Sequence, residues 1–210
     1  MSPEFFAGLD LGQSQDYTAL AIIERKTLYS PHRDPITYQH HRAFTHDLRH
    51  LERIPLGTSY VEVAKRIAEM KSAPELQQMK IAVDATGVGA AVLDQLRAEL
   101  GYLDITPVLI TAGHATHTAN GVWFIPKKDL VAGPLIMLER GQLRIAADIP
   151  LRAEFTAEML SIKESRSASG HIHYGPANGG RDDLFIAFTL ALWRSRLFLP
   201  TTTPQPGALC

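Results

Sequence analysis

The sequence predicts an α/β fold: a mixed sheet with three antiparallel strands first and parallel strands after, flanked by helices and carrying an added hairpin. Three observations predict it. Residues 5–44 hold short apolar runs separated by turn formers, the mark of a meander. From residue 60 the apolar spacing lengthens to that of a helix. Strand-like and helix-like segments then alternate, which argues for parallel strands joined by right-handed crossovers.

Each element has its own justification. Phe5–Gly12 and Tyr17–Arg25 read as strands joined by the turn formers Gly12-Gln13-Ser14-Gln15-Asp16. Ile36–Phe44 alternates in the manner of a third strand, behind a loop bracketed by Pro31 and Pro35. Tyr60–Met70 places Val61, Ala64, Ile67 and Ala68 on one helical stripe. Lys80–Val83 is a short apolar strand ending at Asp84, and Thr86-Gly87-Val88-Gly89 turns the chain into a helix at Ala90–Leu100. Ile105–Ile110 is a further strand, and residues 111–121, small and polar, read as a loop. Lys127–Leu138 follows Pro126 as a helix that Pro134 is expected to kink or interrupt. Gln142–Ala146 is a short strand, Leu151–Leu160 a helix, and Ser161–Gly175 a hairpin around a polar centre. Asp182–Phe198 is the last helix, whose Ala187 and Ala191 permit close approach to a sheet. Residues 1–199 are read as one domain and the Pro- and Thr-rich 200–210 as a flexible tail.

Composition narrows the chemistry. The chain has 210 residues, 45% of them hydrophobic and 20% charged, which excludes disordered and fibrous classes. Its single cysteine, Cys210, permits no internal disulfide and no Cys-based metal site. No apolar run reaches the roughly 20 residues that span a bilayer. The formal net charge is −1, so any binding of nucleic acid must rest on a local basic cluster. No G-x-x-x-x-G-K-[ST] motif occurs, so no Walker-type motor resides here. His40, His41, His46 and His50 lie close in sequence, but the adjacent His40 and His41 face opposite ways on a strand and no Cys or HExxH pattern joins them to make a zinc site. His171 and His173 share a face of a hairpin arm and read as surface residues.

Acidic residues stand where chemistry usually sits. Asp10 is one charge in a strand otherwise made for burial, and a buried lone carboxylate is costly unless it is paired or binds a cation. Asp84 stands at the carboxyl end of a strand, where open α/β sheets bind ligands. Asp182 and Asp183 open the last helix. Each has an ordinary alternative: closing a strand, bonding within a turn, or capping a helix. Asp16 is read as a turn residue. Gly87 and Gly89 either let a helix N-terminus approach a phosphate or make a tight turn.

The segments GLDLGQSQDYTAL, IAVDATGVGAAVLDQL, IPKKDL…GQLRIA and GGRDDLFIAFTLALW together resemble the nuclease domain of tailed-phage terminase large subunits. The resemblance runs from about Phe5 to about Leu197 and implies an RNase H-like (RuvC-like) fold. It implies a metal-dependent endonuclease in which Asp10, Asp84, Asp182 and Asp183 carry two Mg²⁺ or Mn²⁺ ions. Both ions are hard and prefer oxygen donors. The position before the acidic pair, often His in that family, is Arg181 here. Lys127, Lys128, Lys163, Arg166 and Arg181 are the candidates for DNA phosphate contacts. The resemblance further implies double-stranded viral DNA as substrate, action during genome packaging and the cytoplasm of a bacterial host. The implied partners are an ATPase domain, a small terminase subunit and a portal. Since the motor motif is lacking, the chain is read as an excised domain or a nuclease-only polypeptide. Alternatives are a RuvC-type junction resolvase and, since GLDLGQSQDYTALAII also resembles their phosphate-binding hairpin, a fragment of an actin-like or sugar-kinase-like ATP-binding protein.

Overall fold

The computed structural model of the chain describes residues 3–12, 16–33, 35–36, 38, 40–166 and 172–197. The expected meander opens it: β1 (Glu4–Asp10), β2 (Thr18–Arg33) and β3 (His40–Ile54) pair antiparallel in order. Both later strands are longer than their apolar runs. In β3 a bulge explains the difference. Ile22 pairs with His50 and Ile23 with Leu48, so Arg49 is an extra residue. The bulge brings Leu48 and Leu51 to the same buried side at a spacing of three, which mimics a helix and hides the strand.

The chain then winds through α1 (Tyr60–Met70), β4 (Lys80–Asp84), α2 (Ala90–Leu100) and β5 (Ile105–Thr111). Ser59 and Glu62 close a capping box on α1. The stretch 111–121, read as a loop, contains β6 (His117–Ala119), which pairs antiparallel with β7 (Val122–Pro126). Asn120 and Gly121, with φ of 52° and 75°, form the two-residue turn between them. Asn-Gly is the preferred sequence for such a turn because both residues tolerate positive φ. α3 (Lys127–Glu139) continues through Pro134 rather than stopping there. β8 (Leu143–Ile145), α4 (Arg152–Ser161), the antiparallel pair β9 (Ile162–Arg166) and β10 (Ile172–Pro176), and α5 (Asp183–Arg196) complete the order. The centre of that hairpin, Phe198 and the expected tail lie outside the described residues. Among the described residues no helix is long and apolar enough to cross a membrane.

The eight-stranded sheet runs β6-β7-β5-β4-β1-β2-β3-β8. The pairs β1–β4, β4–β5, β5–β7 and β3–β8 are parallel. Alternation along β1 divides the core. Ala7 and Leu9 pack with Val63, Ile67 and Leu96 of α1 and α2. The other face of the sheet, through Ala19, Ala21, Ala82 and Val108, packs under α3, α4 and α5. α5 carries eleven buried residues and lies directly on β1. Gly8 makes this possible: a Cβ there would stand 1.9 Å from the Ala187 carbonyl oxygen and 2.5 Å from the Ala191 nitrogen.

Candidate active site

The close contact between Gly8 and α5 sets the level of everything above it. Asp10 lies two residues beyond Gly8, about 6.6 Å along a strand. Asp183 lies four residues before Ala187, about 6 Å along a helix. The strand and the helix run in opposite senses, so their acidic ends arrive at the same height. Asp10 and Asp84 are register partners on adjacent parallel strands. Asp182 is the N-cap residue of α5 and Asp183 its first residue.

The electrostatics follow from this crowding. Asp10 is half-buried; lost solvation first, then Asp84, Asp182 and Asp183, hold its carboxyl well above the usual range, while Lys127 opposes them. Burial also raises Asp84, against hydrogen bonds from Thr86 and the charge of Lys127. The Thr86 amide donates to Asp84 Oδ1 at 2.8 Å.

Two basic side chains sit among the acids. Lys127, the first residue of α3, places Nζ 2.8 Å from Asp182 Oδ2. Arg53, next to last in β3, donates through Nε to Asp183 Oδ2 at 2.6 Å and through Nη2 to Glu158 Oε1. Glu158, on α4, is 5% exposed and accepts the Phe185 amide at 2.9 Å. Burial pushes its carboxyl up and Asp183 adds to that, while Phe185 and Arg53 oppose. The Arg53 guanidinium lies 5.7 Å from the Tyr17 ring centroid, and that of Arg181 lies 4.6 Å from it.

Thus the four acids read from the sequence come together. Of the residues read as DNA contacts, Lys127 is engaged with Asp182, Lys128 is half-buried, and Lys163 and Arg181 are exposed. The side chain of Arg166 lies outside the described residues. Asp16 is an exposed bend residue, and Gly87 at φ 77° makes a left-handed turn into α2. Arg53 and Glu158 escaped sequence reading. Arg53 lay beyond the recognised part of β3. Glu158 carried a usable signal, since it stands three residues after Phe155, on the buried side of its helix. Among the described residues no group of three or more His, Cys, Asp or Glu is arranged to hold a metal ion, which applies to the histidines of β3 and to the acids alike.

No family model and no curated protein matches the chain significantly. Solved structures do. The large terminase nuclease from thermophilic phage G20c, determined with bound magnesium, is 20% identical with a TM-score of 0.62, over 91% of this chain and 82% of that one. The same nuclease with bound cobalt also gives 0.62 at 20% identity, over 91% and 81%. The Thermus phage P74-26 large terminase nuclease domain gives 0.57 at 18% identity, over 96% and 84%. At these identities the likeness is one of architecture: the chain has the RNase H-like fold of phage large terminase nuclease domains.

Proposed function

We propose that the chain is a divalent-metal-dependent endonuclease that hydrolyses phosphodiester bonds of duplex DNA during phage genome packaging. The observation that carries this reading is the meeting of Asp10 and Asp84, register partners at the carboxyl ends of parallel strands, with Asp182 and Asp183 at the start of a helix. The donor set fits hard cations such as Mg²⁺ or Mn²⁺, because every donor is a carboxylate oxygen. Burial first, and then Asp84, Asp182 and Asp183, raise the Asp10 carboxyl, as expected of an acid shielded from water among other acids. Asp10, Asp84, Asp182 and Asp183 would hold the ions. Two divalent ions would supply Lewis-acid polarisation of the scissile phosphate and of the attacking water.

The remaining tasks fall to the protein. Asp10 and Asp84 sit on strand ends fixed by the sheet, so their oxygens are preorganised. Arg53 holds Asp183 and is itself anchored by Glu158. Lys128, Lys163, Arg166 and Arg181 would draw in the phosphate backbone, which positions a duplex without reading its sequence. The test is nicking of supercoiled plasmid with Mg²⁺, Mn²⁺ or EDTA, by the wild type and by Asp10→Asn. Metal-dependent nicking that the variant lacks is expected. Cleavage persisting in EDTA would reject the reading, and strong preference for four-way junctions would reassign it to a resolvase.

A further inference from the structure

We propose that the Lys127 ammonium is a resident counter-cation of the acidic cluster, which a divalent ion must displace from Asp182 before the site is loaded. The inference rests on the nuclease reading and adds to it a competitor built into the chain.

Placement comes first. Lys127 follows Pro126, the last residue of β7. β7 lies parallel to β5, and β5 to β4, so Lys127 emerges at the same end of the sheet as Asp84. Its side chain is 27% exposed and its Nζ contacts Asp182 at 2.8 Å. The same positive charge acts on Asp10 and Asp84, lowering both carboxyls against the effect of burial. One ammonium therefore serves three of the four acids.

The second resident cation shows by contrast which one can leave. Arg53 holds two acids at once, Asp183 and Glu158, with its side chain only 17% exposed and beside the Tyr17 ring. A planar guanidinium in such a fork is fixed in orientation. Lys127 holds one acid with a compact charge on a flexible four-carbon stem. Its hydrogen-bonded partner, Asp182, is itself 25% exposed, so water can take the place of the ammonium there.

Loading is then an exchange. The ammonium leaves the Asp182 carboxylate, the divalent ion takes its oxygen, and Lys127 turns to the nearest remaining anion, a DNA phosphate when duplex is present. DNA and metal thereby favour each other's binding: a phosphate draws Lys127 off Asp182, and the metal frees Lys127 to meet a phosphate.

The test is Mn²⁺ titration of the full 210-residue chain by calorimetry, without DNA. Lys127→Met should bind Mn²⁺ about tenfold more tightly than wild type, the effect of removing one partly shielded like charge beside a dication. Lys127→Arg keeps the charge and should stay within about twofold of wild type, as should Lys128→Met, which removes a charge one residue away. Lys127→Gln serves as the second neutral variant, and melting in EDTA verifies that each is folded. Equal or weaker Mn²⁺ binding by the neutral variants, or equal tightening in Lys128→Met, overturns the exchange while leaving the nuclease reading intact. Wild-type Mn²⁺ binding that Asp10→Asn does not weaken instead overturns the site itself, and the exchange with it.

Discussion

Adding a single methyl group at Gly8 tests whether the contact between β1 and α5 sets the active-site geometry. In Gly8→Ala the new Cβ would meet the Ala187 carbonyl oxygen at 1.9 Å, the Ala191 nitrogen at 2.5 Å and the Leu190 Cβ at 2.9 Å. Two of these neighbours are helix backbone, which cannot rotate away. Reaching an ordinary contact of 3.4 Å requires α5 to retreat by about 1.5 Å. Overpacking of this kind costs about 3 kcal/mol. For a domain of this size that corresponds to a fall of about 6–12 °C in melting temperature. The same retreat carries Asp182 and Asp183 away from Asp10 and Asp84. Misplacement of catalytic groups by about 1 Å costs roughly a hundredfold in rate, so metal-dependent cleavage should fall by at least that much at a temperature where the variant is still folded. The assay pairs melting curves with plasmid nicking. Gly175→Ala is the control, since its Cβ would meet nothing within 4 Å; it should leave both readouts near wild type. A Gly8→Ala protein that melts within about 1 °C of wild type and cleaves normally would refute the reasoning, because the helix would then not be seated by that contact.

Three further outcomes are expected. Asp10→Asn should lose cleavage yet melt in EDTA at or above the wild-type temperature, because it removes one of several repelling acids; the wild type alone should gain about 2.7 kcal/mol from Mn²⁺ at a hundred times its Kd. Arg53→Met should cost about 3–5 kcal/mol in urea unfolding, since it strands Asp183 and Glu158 without their shared cation. His46, 2% exposed, has its ring lowered to about 4 by burial and then by the nearby Arg25. Its contribution is thus fully present above about pH 6.5 and lost as pH falls through 4, up to about 3 kcal/mol; His46→Leu should flatten that part of the stability profile, measured by urea unfolding from pH 7 to pH 4.

The parts of this molecule that were legible in its sequence share a physical cause. Asp10 and Asp84 are charges on short apolar strands, and such an exception is visible without knowing the neighbours. α1 and α2 were read to their ends because nothing interrupts their apolar period and a turn precedes α2 at Thr86–Gly89. The rest depended on pairing between distant segments. Arg53 meets Asp183 across 130 positions and Glu158 across 105, and no local pattern encodes that. Lys127 was visible as a basic residue near the site, but its partner depended on where α5 begins. The β6–β7 hairpin is different: Asn120-Gly121 announced it, and only the shortness of β6 disguised it.

The extra residue at Arg49 absorbs one step of the strand's alternation. On its two sides, Leu48 and Leu51 belong to the same core beneath α5. Arg53 shares that face, opposite Ala19, while Ile54 points into the other layer with Val63 and Ile67. Removing Arg49 would leave Leu48 and Leu51 two positions apart and Leu48 and Arg53 four, so a regular strand would keep all three on the face they occupy now. What the deletion takes away is the Arg49 guanidinium, whose Nε lies 2.6 Å from the buried Glu24, and the added twist that a bulge gives its strand. Arg49 is thus a splice in β3: the sheet reads through it without losing its place, and Arg53 stays opposite Ala19 with or without it.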